Sequence, residues 1–169
     1  MYEWVVTSLD ASRETDFPGT GLFWDKVRGD GTLDKKVWSY NQGSMVGANV
    51  LLARIHQDMR DWYLDRAEAI ARKALRHFDH EGYDRQPPAF NAIFFRNLLL
   101  LHPVTRDAQL ATDIIDRIRR YTNDAWCRKR DRGDWFHLSH GGVTLLNQSA
   151  LVQLLALLAW DPSEYSKLA

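Results

Sequence analysis

The amino-acid sequence predicts an all-α fold of stacked αα-hairpins with a small β-hairpin on one rim. Three observations carry this. Two kinds of helix alternate along the 169 residues, one with a single apolar stripe and one apolar nearly all round. An Asn-Gln pair recurs at the entrance of two of the apolar helices, as Asn41-Gln42 and Asn147-Gln148. A turn signal, Gly29-Asp30-Gly31-Thr32, lies between two aromatic-bearing runs ahead of the first apolar helix and reads as a β-hairpin. A helix without a polar face has to be covered on both sides. Striped helices therefore sit outside and apolar ones inside, and their strict alternation is the mark of a helical-hairpin repeat.

The elements follow in order. Residues 2–9 read as the end of a first outer helix. Residues 19–40 form a ribbon that carries Gly21-Leu22-Phe23-Trp24-Asp25 and the hairpin turn. The first inner helix covers 44–55. In 61–78, Leu64, Ala67, Ala71, Ala74, Leu75 and Phe78 recur at steps of three and four, which predicts an outer helix. Asp61 is its expected N-cap, and Arg72, Lys73, Arg76 and His77 complement the dipole near its end. Pro87-Pro88 marks the loop into a second inner helix at 90–101, which Pro103 ends. Residues 107–126 repeat the outer pattern through Leu110, Ile114, Ile118, Tyr121 and Ala125. A polar loop at 131–142 leads into the third inner helix, 145–160. All three loops open onto inner helices, so they gather on one rim, the natural place for a site.

Composition narrows the function. A chain of this length buries roughly 70% of its unfolded surface as one domain, here spanning 1–169. Its 22 basic and 22 acidic residues cancel, without the positive footprint that nucleic-acid binding requires. No apolar run reaches the ~20 residues of a membrane span, so neither nucleic acid nor membrane is an expected partner. Met1-Tyr2-Glu3-Trp4-Val5-Val6 lacks the basic start and long apolar stretch of a signal peptide, so the chain as written is expected to be soluble and not exported. The single Cys127 is expected to be a buried, inert thiol. His77-x-x-His80 and His137-x-x-His140 have no Cys partner and no His-Glu-x-x-His pattern, so no metal site and no cofactor is expected.

The chemistry concentrates in Trp38-Ser39-Tyr40-Asn41-Gln42-Gly43. Flat rings stack on the C–H face of a sugar, and forked amides read adjacent hydroxyls, so this run points to a carbohydrate site. The same residues also serve a purely structural reading. In that reading Trp38 and Tyr40 wedge the hairpin against the first inner helix, and Asn41 caps it. Asp25, Asp84, Asp131 and Asp134 are the candidate acids on the rim. Asp25, beside Trp24, is the most suggestive.

Trp38-Ser-Tyr-Asn-Gln-Gly, the preceding Gly21-Leu-Phe-Trp-Asp, and the following Tyr63-Leu-Asp-Arg-Ala and Ile93-Phe-Phe-Arg96 come in an order and spacing that resemble glycoside hydrolase family 76. That family cleaves α-1,6-linked mannan. The resemblance implies an (α/α)6 toroid, of which this chain would be about half, resembling the C-terminal half of the domain. It implies a mannan-like polysaccharide as ligand, held by Trp24, Asp25, Trp38, Tyr40, Asn41, Gln42, Arg96 and Trp135. Arg96, on an apolar helix, is expected to seek an acid or a hydroxyl-rich ligand. Asn91-Ala92 stands where the family pattern has Lys-Gly. The family's catalytic aspartates are adjacent, whereas no two acidic residues are adjacent here, so no catalytic residue is assigned. Glycoside hydrolysis needs two carboxylates about 5–5.5 Å apart in retaining enzymes and farther apart in inverting ones. The expected function is the substrate-groove half of a mannan-type glycosidase, inactive alone, whose partner is a missing N-terminal half or a second copy closing the ring. A non-catalytic carbohydrate-binding module and a ligand-free helical repeat are the alternatives.

Overall fold

The structure, a computed structural model, describes residues 1–13, 21–138 and 142–168. Gly19 and Thr20 of the expected ribbon and His140 of the second histidine pair lie outside the described residues. Helix α1 (Tyr2–Leu9) is followed by strands β1 (Lys26–Val27) and β2 (Leu33–Asp34). Then come α2 (Ser39–Ile55), α3 (Arg60–Glu81), α4 (Pro88–Leu101), α5 (Ala108–Arg128) and α6 (Leu145–Leu158). A 3-10 segment, Pro162–Leu168, closes the described chain. The strands pair antiparallel, with Lys26 opposite Asp34 and Val27 opposite Leu33. All six expected helices and the hairpin are present.

Helices α2, α4 and α6 are the inner ones. Helix α4 packs between α2 and α6, while α3 covers α2 from outside. The core is continuous through them, from Val46 and Val50 on α2 through Phe94, Phe95 and Leu98 on α4 to Leu154 and Leu157 on α6. Phe78, Tyr83, Phe94, Phe95 and Tyr121 form its aromatic centre, with ring centroids 5.1–5.6 Å apart for Tyr83–Phe95, Phe95–Tyr121 and Phe78–Phe94. The outer stripes behave as their period requires. Leu110, Ile114, Ile118 and Ala125 of α5 are all buried, and Asp107 caps the helix through Gln109 and Leu110 N–H at 2.9 and 3.1 Å.

Several boundaries and one side chain depart from expectation. Helix α2 begins at Ser39, five residues early, so Asn41 lies inside the helix and caps nothing. Its first N–H is instead taken by Gln86 Oε1 at 3.0 Å, from the loop before α4. Helix α4 begins at Pro88, where a ring with no N–H to lose suits the first turn. Asp61 lies one residue inside α3 and makes no cap; it faces Arg60 and Arg106 at 3.7 and 3.4 Å. Cys127 is exposed, not buried, because it falls on the solvent side of α5.

The inner helices run parallel at close range. An added Cβ on Gly43 would stand 2.5 Å from Phe94 Cα, and one on Gly47 would strike the Asn97 side chain. A Gly-x-x-x-Gly step on α2 thus lets α4 approach backbone to backbone. The outer pair α3 and α5 is joined by charge. Glu68 accepts from Thr105 Oγ1 (2.8 Å), Arg106 N–H (2.9 Å) and Arg72 (2.9 Å), and Arg72 also reaches Asp107 at 3.0 Å.

Burial alone would raise the Glu68 pKa, but the donors of Arg106, Thr105 and Arg72 outweigh it and hold it below the ordinary value. Asp107 is likewise lowered, first by the Leu110 N–H and then by Arg72. Both folded-state values lie beneath the unfolded ones. Their contribution is therefore complete above the unfolded carboxylate range of about 4 and is lost as pH falls through the depressed values. Urea midpoints are expected to drop on acidification from neutral pH to about pH 3, and Glu68→Gln should flatten part of that drop. A variant whose midpoint tracks the native protein's across the range would contradict the clamp.

Candidate functional site

The rim is built where the three inner helices begin. Phe90, in the first turn of α4, lies against the start of α2, with its ring 5.5 Å from Trp38 (edge-on) and 4.5 Å from Tyr40. Ala89 of α4 and Leu146 of α6 line one groove. The starts of all three inner helices therefore share one side of the molecule.

Trp38, Phe90, Tyr40 and Asp25 form a single half-buried cluster at this rim. Tyr40 Oη donates to Asp25 Oδ1 at 2.7 Å. Burial, together with Asp25 as acceptor, pushes the Tyr40 phenol up to about 12, so it stays a donor throughout the neutral range. The second Asp25 oxygen lies 3.8 Å from the ammonium of exposed Lys26. Lys36 Nζ stands 5.5 Å from the Trp38 ring centre. The arrangement is a ring wall with one oriented carboxylate beside it, which suits a neutral polyhydroxylated ligand.

Two expected sugar contacts are corrected by burial. Trp24 is 3% exposed, which leaves its indole no face to offer, and Lys35 Nζ sits 5.3 Å from its ring centre. Gln42 is fully buried, and its amide is spent on the main chain of Phe23 and Trp38. Asn41 is half-buried and donates to Trp24 O at 3.3 Å. Arg96 is exposed, not buried as its apolar helix suggested, and its guanidinium donates to Leu168 O in the closing 3-10 segment. It stands two turns into α4, away from the rim.

Trp135 is 53% exposed on the ribbon joining α5 to α6, the third outer–inner unit after α1–α2 and α3–α4. Asp131 shapes its turn: Oδ1 accepts from Gly133 N–H (2.8 Å) and Trp135 N–H (3.0 Å). Asp134 completes the turn in the left-handed region, at φ 64°. Each of the other rim acids has a side-chain partner. Asp84 meets Lys129 at 2.5 Å, Asp134 meets Arg130 at 3.3 Å, and Asp131 meets His137 at 2.6 Å. The His137 contact comes first among the causes that hold Asp131 below the usual carboxylate range. Phe90 and Gln86 were absent from the sequence reading. Their signal was Pro87-Pro88, which delivers both to the rim, but a proline pair reads as a loop and not as a helix start.

Outer–inner helix pairs with parallel inner helices and a ribbon-built rim are the architecture of helical-toroid glycosidases. A family model described as Glycosyl hydrolase family 76 matches residues 1–161, and the chain belongs to that family. Among solved structures it is similar to a family 76 glycoside hydrolase from a bovine Bacteroides thetaiotaomicron strain. There it shows 20% identity and a TM-score of 0.68, covering 94% of this chain and 36% of the other. It is also similar to an alpha-mannanase of the same family from Bacteroides thetaiotaomicron, at 18% identity and a TM-score of 0.65, covering 99% of this chain and 43% of the other. The fold is thus of the (α/α)6 type, and the chain spans about two fifths of the length of these relatives. No curated protein matches it.

Proposed function

We propose that this chain is the substrate-holding half of a mannan-directed glycosidase fold, with a rim that grips α-1,6-linked mannan through Trp38, Tyr40, Asp25 and Trp135. The observation that carries the reading is the Trp38–Phe90–Tyr40–Asp25 cluster, a ring wall with an oriented acceptor at the mouth of the inner helices. Binding without turnover is favoured by the state of the other acids, since Asp84 and Asp134 each face a cation and Asp131 is bonded to His137. The adjacent aspartates that the family resemblance calls for are not in the sequence, and we place them in a second half-ring. Its helices would cover the exposed apolar residues of this one, which include Leu145, Leu146, Val152 and Ile55 at 83, 65, 57 and 72% exposure. That second half is further polypeptide; another copy of the chain could cover the same apolar face but would carry no adjacent aspartates.

The test is affinity electrophoresis through gels containing α-1,6-mannan. The native chain should be retarded and should release no sugar. Trp38→Ala should weaken retardation by about tenfold in affinity, the ~1.4 kcal/mol scale of one lost ring contact. Equal mobility of the two in mannan and in blank gels would leave only the helical-repeat reading.

A further inference from the structure

The recurring Asn-Gln pair has a shared geometry that ligand binding does not explain. Gln42 Oε1 accepts the Phe23 N–H at 2.8 Å while its Nε2 donates to Phe23 O at 2.8 Å. Gln148 Oε1 accepts the Phe136 N–H at 2.9 Å while its Nε2 donates to Phe136 O at 2.8 Å. In each case one carboxamide closes on both main-chain groups of a single phenylalanine. Gln42 is the fourth residue of α2 and Gln148 the fourth of α6.

The other edge of each phenylalanine is also matched. Phe23 bridges antiparallel to Asp10, just past α1, and Phe136 bridges to Arg130, just past α5. The flanking bonds share one register. Ala11 N–H donates to Leu22 O at 2.9 Å and Trp24 N–H to Leu9 O at 2.9 Å. In the third unit, Asp131 N–H donates to Trp135 O at 2.9 Å and His137 N–H to Lys129 O at 2.7 Å. These bonds straddle the two phenylalanines and leave their own N–H and C=O turned away from the bridge. The glutamine meets them there, as a third strand would. In the middle unit Asn91, again fourth in its helix, is a methylene shorter and makes one arm only, to Tyr83 O at 2.9 Å.

We infer that Gln42 and Gln148 are positioning residues, surrogate strands that lock each ribbon to its inner helix and so fix the rim groups beside the locked phenylalanine. For the first unit the neighbour is Trp24-Asp25, and for the third it is Trp135. Glutamine is the side chain that fits: it carries donor and acceptor in the geometry of a peptide, whereas glutamate would set an acceptor against Phe136 O. Removing the arm strands a buried N–H and C=O together. The consequence for sugar rests on the mannan reading above; the lock itself does not.

The test uses Gln148→Met, which keeps the length and apolar fit and removes both arms. Amide hydrogen exchange at Phe136 should accelerate about tenfold or more, while amides in the middle of α4 keep native protection. Binding to α-1,6-mannan should fall as far as it does in Trp135→Ala. Gln148→Asn retains the amide but withdraws it by one methylene, and it should show the same exchange change if the Met variant does not fold. Native exchange at Phe136 in either folded variant overturns the lock. Fast exchange with undiminished mannan binding overturns its positioning role. Failure of the native chain itself to bind mannan refutes the polysaccharide reading and leaves the exchange result standing.

Discussion

Gly43→Ala is expected to be the most damaging single methyl in the molecule. Its Cβ would meet Phe94 Cα at 2.5 Å, Phe94 N at 3.1 Å and Ile93 O at 3.2 Å, all of them backbone atoms of the helix that anchors the core. Alanine gains about 1 kcal/mol over glycine in a helix interior. Backbone has no rotamer to escape into, so α2 and α4 would have to part, and overpacking of that kind costs about 3 kcal/mol or more. Against a total stability of about 5–15 kcal/mol, the net loss of roughly 2 kcal/mol or more is a large share. Gly47→Ala makes the control, because its added methyl meets the Asn97 side chain, which can swing aside. Urea denaturation should show a much lower midpoint for Gly43→Ala than for Gly47→Ala. Equal midpoints would mean that the inner helices do not pack at the distance described.

The second large effect concerns the uncovered face. Leu145 and Leu146 open α6 with most of their surface in water, Val152 continues the exposure a turn and a half later, and Ile55 does the same at the end of α2. Several large aliphatic side chains left bare on inner helices mark a surface that binds another one. The isolated chain is expected to self-associate in sedimentation velocity runs, with the population moving to larger species as concentration rises. Leu146→Lys combined with Val152→Lys should return it to monomer without altering the helical circular dichroism, since neither side chain is in the core. Adding a polypeptide that carries the other half of a family 76 ring should compete with self-association. A native chain that sediments as a monomer at every concentration would show that these helices are complete as a unit.

Much of this architecture was legible from residues alone. Helix α5 is the clearest instance: Leu110, Ile114 and Ile118 repeat at four-residue steps, all buried as the period demands. The start of α2 was not legible, for a physical reason. Ser39 to Gly43 holds a serine, two amides and a glycine, a composition that favours loops when nothing nearby satisfies it. The ribbon and Gln86 supply the missing partners, and both are distant in sequence. The same blindness misplaced two site residues. A tryptophan next to a forked amide describes a sugar site and a backbone lock equally well, and burial alone separates Trp38 from Trp24 and Asn41 from Gln42. Arg96 misled in the opposite sense. An apolar run around it suggested a buried charge, but Arg96 falls on a face of α4 open to water, and the guanidinium donates to the Leu168 carbonyl.

In the proposed function, the rim at the starts of α2, α4 and α6 is a polysaccharide surface. Titrating a short α-1,6-linked mannooligosaccharide while following the seven tryptophan indole N–H resonances by NMR examines it most directly. Saturable shifts are expected at Trp38 and Trp135, with Trp4, Trp62 and Trp160 unmoved. Shifts confined to those three distant indoles, or none at any indole up to saturating sugar, would contradict it.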